Sequence, residues 1–187
     1  MERSSPRLAN DQDMVQIWRS PLINTIKVNW DASTHSQLNR TEFGAIYRDT
    51  VGDVLAGGSL VRESLLAPAL AEAMIALFAV NLALDLGFKN VVFEGDAASI
   101  VTAINGGELN LHVWSLVVME IKRLVQYFTS WKFIFAKRSA NMAAHKMARY
   151  SFHTQGLKVW IEDTPLSVPN VVQMDKISCN QELREEI

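Results

Sequence analysis

Cysteine is nearly absent from these 187 residues; Cys179 is the only one. That excludes an internal disulfide framework and a cysteine-built zinc site, and makes a reducing compartment the simpler expectation. An excess of charge of one sign is also lacking. Eighteen Lys and Arg against 20 Asp and Glu leave a formal charge of −2, so any surface for a polyanion has to be local. There are no internal repeats and no low-complexity tracts. Met1 to Asn10 carries charges and Pro6 without an apolar core of the secretory type, so an intracellular protein of nucleus or cytoplasm, not a secreted one, is expected. What is present is a hydrophobic share of 49% and a charged share of 20%, in a length that suits one well-buried domain with tails. A monomer is expected.

Residues 1–22 show no sustained periodicity and read as an N-terminal linker. From Ile23 the pattern alternates: Ile26, Val28 and Trp30 against Lys27, Asn29 and Asp31, a half-buried strand ending near Asp31. A polar loop from Ser33 to Arg40 follows. Phe43 to Arg48 and Val54 to Val61 are two further strands, joined by the turn residues Asp49 to Asp53, and Gly57-Gly58 suggests a bulge or a close backbone approach. Strand, helix, strand, helix then runs through Asn90 to Gly95, Ala97 to Asn105 with a stop at Gly106-Gly107, His112 to Phe128, Trp131 to Ala136 and Asn141 to Tyr150. The expected fold is α/β, a mixed five-stranded sheet of three antiparallel strands and then parallel ones, flanked by helices. The domain is expected over residues 23–152, with 153–187 a loosely held C-terminal tail.

Between the third and fourth strands, Leu65 to Leu86 reads as a long helix that is apolar almost all round. It could cross a bilayer by length, but Pro68, Glu72 and Asn81 interrupt it, so a core helix is expected and a membrane is not among the expected partners. At about 100° per residue, Asn81 and Asp85 share one face, while Glu72 lies opposite with Ile75, Ala76, Ala79 and Ala83. A carboxylate on the packed face is costly unless a cation or hydrogen bonds satisfy it.

Two more carboxylates fall where such a sheet could bring them to Glu72: Asp31 at the end of the first strand and Asp96 after the fourth. Parallel neighbours would put both on one sheet edge, where crowded acids favour a hard divalent cation. Asp96 could instead cap the following helix and Asp31 could face solvent in a turn. The argument rests on the combination with Glu72. Glu94 is a reserve candidate.

Lys27-Val28-Asn29-Trp30-Asp31-Ala32-Ser33, Pro68-Ala69-Leu70-Ala71-Glu72-Ala73 and Val92-Phe93-Glu94-Gly95-Asp96 resemble the successive motifs of the type 1 ribonuclease H domain, in its plant, reverse-transcriptase-associated form. Asn141 to Arg149 is similar to the family's last helix motif, with His145 four residues after Asn141. The resemblance covers residues 24–152. It implies a retroelement-derived, metal-dependent endonuclease that cuts the RNA strand of an RNA/DNA hybrid, with Asp31, Glu72 and Asp96 holding two Mg²⁺ ions; Mn²⁺ is an alternative. His145 stands where an acidic residue is usual, and as a neutral imidazole it is a poorer Mg²⁺ ligand that could still shuttle a proton. Ala32 replaces the usual Gly, the groove-contacting Asn residues are absent at Pro68 and Ala69, and Phe135 to Arg138 contains no loop histidine.

A basic segment supports binding separately. Between Ile121 and Tyr150 there are seven Lys and Arg and no Asp or Glu. Such segregation suits a phosphate-contacting surface, although a solvated face would look the same. Ser33, Lys137, Arg138, Asn141, Lys146 and Arg149 are the expected nucleic-acid contacts. The expected function is an RNA/DNA-hybrid ribonuclease. The alternatives are a catalytically weak module of the same fold that only binds, and a relative of the nuclease and integrase group acting on DNA.

Overall fold

The computed structural model describes residues 15–106, 112–151 and 156–185. The expected linker up to residue 14, the stop at Gly107 and the boundary at residues 152 and 153 lie outside them.

The alternating segment at the start forms β1, Ile26–His35, which runs beyond Asp31 into the first part of the expected polar loop. It turns through a short 3-10 segment and Asn39, in the left-handed conformation, into β2, Arg40–Arg48, and then β3, Val54–Arg62. These three pair antiparallel, while β4, Asn90–Gly95, lies parallel to β1, and β5, Ser130–Phe135, parallel to β4. The order across the sheet is β5-β4-β1-β2-β3-β6.

The sixth strand corrects the expected five. β6, Leu157–Ile161, pairs antiparallel with β3, and α5, Pro169–Glu185, follows it. Both come from the segment read as a loose tail. The strand was hidden because it is five residues long and its Leu157, Val159 and Ile161 point their bulk to solvent. Val168, just before α5, and Val172, in its first turn, pack with Ile46 of β2.

The long apolar helix is α1, Pro68–Asp85, shorter at its start than the pattern suggested, with proline in its first turn, where a missing N–H costs no hydrogen bond. Among the described residues it is the one helix long and apolar enough to cross a membrane, and here that apolar character is used on the sheet and on neighbouring helices. Ile75, Ala76, Ala79 and Ala83 are buried, and Asn81 and Asp85 are exposed. α1, α2 (Ala98–Ile104) and α3 (Ser115–Leu124) cover one face; α4, Met142–Tyr150, and α5 cover the other. Gly57 and Gly58 provide close approach, not a bulge: a Cβ at Gly58 would meet the Phe78 ring at 2.8 Å, and one at Gly57 would meet Met147 Cε at the same distance.

Under α5 lies a polar network. Arg48, fully buried, donates to Asp175 Oδ2 at 2.6 Å and to Asn29 Oδ1 at 2.7 Å, and the Trp18 ring stacks on its guanidinium at 4.0 Å. Trp18 also donates to Asn29 Oδ1, so the end of the expected linker is docked on the sheet. Glu94, the reserve candidate, pairs with Lys27 here at 2.5 Å and accepts from Asn29.

Candidate active site

The parallel pairing of β1 with β4 sets the site. Trp30 is opposite Gly95 in the register, so the next residues on each strand path, Asp31 and Asp96, emerge side by side at one edge. A Cβ at Gly95 would lie 2.4 Å from the Trp30 indole, so the absence of a side chain there lets Trp30 fill the space under the edge. Glu72 comes from the second turn of α1 and accepts from the backbone N–H of Ala32. One carboxylate oxygen from each of Asp31, Glu72 and Asp96 can be chosen so that all three lie within 4.8 Å of one another.

The fourth component arrives from the opposite face. Gly44 is the cross-strand partner of Asp31, and a Cβ on it would fall 2.1 Å from the backbone N of Ala148. The backbone of α4 therefore rests directly on β2, which brings His145, almost one turn earlier, to Asp31: Nδ1 lies 2.7 Å from Oδ2. Asn141, just before α4, fastens the helix to β1 by donating to the carbonyl oxygen of Trp30 at 2.8 Å.

Arg138 completes the cluster. Its Nε donates to Asp96 Oδ2 at 3.0 Å and its Nη2 to Asp31 Oδ1 at 3.3 Å. Both oxygens of Asp31 are thus engaged by basic side chains. Even so, burial first and Asp96 second push the Asp31 carboxyl above the ordinary range, against the opposing effects of His145 and Arg138. Glu72 is pushed up to about 9 by burial and by the charges of Asp31 and Asp96. Its Oε2 is buried without a hydrogen-bond partner. Three oxygen donors that crowd one another, one of them protonated at neutral pH and partly unsatisfied, fit a hard divalent cation.

The expected site residues separate into groups. Asp31, Glu72, Asp96 and His145 come together. Arg138 is with them, ion-paired to the carboxylates where a phosphate contact was expected. Asn141, expected at the nucleic acid, is 1% exposed and fastens α4 to β1. Ser33, two residues beyond Asp31 and on the same strand face, has its Oγ 3.4 Å from His35 Nε2, itself 3.1 Å from the buried Glu42. Lys137 and Arg149 are exposed and Lys146 is half-buried, in the loop before α4 and on α4 itself. Sequence reasoning missed the pairing of Arg138 with Asp31 and Asp96, for which no local signal exists: the partners are 107 and 42 residues away.

Comparison with known proteins agrees with this architecture. The model of the reverse transcriptase-like family matches residues 29–151. No curated protein matches the sequence. Among solved structures, RNase H1 from the archaeon Halobacterium salinarum superposes with a TM-score of 0.64 at 18% identity, over 69% of this chain and 98% of that one. LC11-RNase H1, solved in complex with an RNA/DNA hybrid, gives 0.61 at 15% identity, over 67% and 94%. The foamy viral protease-reverse transcriptase, also with RNA/DNA hybrid, gives 0.56 at 13%, over 82% of this chain and 24% of that one.

Proposed function

The chain belongs to the reverse transcriptase-like family and carries an RNase H-like domain, and on that premise we propose that it is an endoribonuclease that hydrolyses the RNA strand of RNA/DNA hybrids with divalent cations. The observation that supports this reading most directly is the set of Asp31, Glu72 and Asp96 oxygens within 4.8 Å at the edge of the sheet. These three residues would hold the cations, Mg²⁺ or Mn²⁺. Bound there, a divalent cation supplies positive charge that stabilises the charge developing on a phosphodiester during hydrolysis.

The chain's own residues do the rest. Asp31 fixes the His145 ring through Nδ1, which leaves the other ring nitrogen to exchange a proton with solvent or substrate. Lys137, Lys146 and Arg149 flank the edge and attract the phosphate backbone. Burial of the Asp31 carboxylate limits water around it and strengthens its interaction with a cation. RNA is distinguished from DNA by the 2′-hydroxyl and by the A-like groove.

A second reading, a module that binds nucleic acid without cutting it, is favoured by the double engagement of Asp31 by Arg138 and His145. The two are separated by incubating an end-labelled RNA/DNA hybrid with Mg²⁺ or with chelator, beside Asp31→Asn. Mg²⁺-dependent cutting of the RNA strand that disappears in the variant establishes the enzyme. Equal silence of both proteins in Mg²⁺ and Mn²⁺, with the hybrid still bound, establishes the binding module.

A further inference from the structure

The Arg138 guanidinium bridges Asp31 and Asp96, using oxygens of two of the three carboxylates assigned above to a cation. We propose that Arg138 is the resident counter-cation of the metal-free site, which an incoming divalent ion must displace, so that Arg138 sets the affinity for metal. This rests on the metal reading of the three carboxylates.

The backbone around Arg138 is held on both sides, so displacement falls to the side chain. The N–H of Lys137 donates to Gln16 Oε1 at 2.6 Å, and Ser139 Oγ donates to the Gln16 carbonyl at 2.7 Å. Ala140 N–H donates to the Lys137 carbonyl and Asn141 N–H to that of Arg138, and the Asn141 side chain is anchored to Trp30. The strap that supplies Gln16 is itself pinned by the buried Trp18. By contrast the Arg138 side chain is 54% exposed. It can turn outward without opening the core.

The chemistry of arginine makes this a competition and not a titration. Guanidinium keeps its proton at every accessible pH, so it leaves the carboxylates only by moving. Its planar fork also spans two acceptors, as a point charge does not. The consequence is a linkage: a phosphate that draws Arg138 outward releases the same carboxylate oxygens to the metal, so nucleic acid and metal each strengthen the binding of the other.

The test is Mn²⁺ titration by calorimetry, without nucleic acid, on the full chain and on Arg138→Gln, Arg138→Lys, Lys146→Gln and Asp31→Asn. Lys146 makes none of the ion pairs to these carboxylates among the described residues. Arg138→Gln is expected to bind Mn²⁺ about tenfold more tightly, the low end for losing competing hydrogen bonds to a charged group. Arg138→Lys should gain less, and Lys146→Gln should stay within about twofold of the parent, as a charge outside these ion pairs does. In chelator Arg138→Gln should melt below the parent protein, and saturating Mn²⁺ should close that gap. Unchanged or weaker Mn²⁺ binding in Arg138→Gln overturns the proposal, as does an equal gain in Lys146→Gln, which would indicate a general field effect. If the parent binds Mn²⁺ through Asp31 while Arg138→Gln has no effect, only the role of Arg138 falls. If no variant shows binding that depends on Asp31, the metal reading falls as well.

Discussion

Replacing Glu72 by Gln should stabilise the metal-free protein, by an amount that grows with pH. The carboxyl of Glu72 is pushed up to about 9 by burial and by Asp31 and Asp96, against 4.5 in its unperturbed state. Between those values the folded protein holds a proton that the unfolded chain has released. Stability from this group is therefore complete below pH 4.5 and declines as pH rises toward 9. The slope is about 1.4 kcal/mol per pH unit, so about 3 kcal/mol should be lost between roughly pH 5.5 and pH 8. Gln keeps the shape, cannot ionise and escapes the loss. For a chain of this size the difference corresponds to roughly 10 °C in Tm. Thermal or urea unfolding of both proteins in chelator, at half-unit steps of pH, gives the difference curve. It should be near zero around pH 5 and rise steadily toward alkaline pH. A bound divalent cation favours the carboxylate, so Mg²⁺ should shrink the gap at about pH 8. A difference that stays flat with pH, or a parent as stable as the variant at about pH 8, refutes the account of Glu72 as a strained acid in a site that needs a cation.

Two more substitutions probe how the site is held. Gly44→Ala drives a methyl group into the backbone of α4, 2.1 Å from Ala148 N; the expected cost is about 3 kcal/mol, the upper end for overpacking, read from the urea midpoint. His145→Ala removes the partner of Asp31 Oδ2. Cleavage of the hybrid should fall about 10- to 100-fold, the range for outer-sphere partners of metal ligands, while hybrid affinity measured in chelator changes by less than about twofold.

The carboxylates were legible because strand alternation and helix phase are local. Asp31 and Asp96 ended predicted strands, and Glu72 was the acid on the packed side of an apolar helix; the order of elements then implied that they meet. What could not be read depended on distance in sequence. The charge pattern counted Arg138 with the other cations of its segment, and only the fold shows it turned toward acids from β1 and β4. The Asn141 amide fastens α4 to β1, a role the sequence does not show because the Trp30 carbonyl lies 111 residues away. Ile17 and Trp18 are an isolated pair that sets no period, and the stacking of Trp18 on Arg48 depends on a strand 30 residues further on. The C-terminal strand was missed because five residues are too few to set a period, and the helix because its buried side mixes Val172 and Cys179 with the charged Asp175.

Arg48 gives the fold a timetable. It is buried against Trp18 on one side and Asp175 on the other, and 127 residues separate it from Asp175. At about 5–20 residues per second, a ribosome takes about 6–25 s to make that stretch. Through most of that interval β1, β2 and β3 have been made but the guanidinium lacks the Asp175 carboxylate, and an uncompensated charge cannot be closed over at low cost. Closure of the sheet over Arg48 therefore depends on α5, which supplies Asp175. A truncation between α4 and α5 would retain every residue of the candidate site and still lack the closure that holds the sheet beneath it.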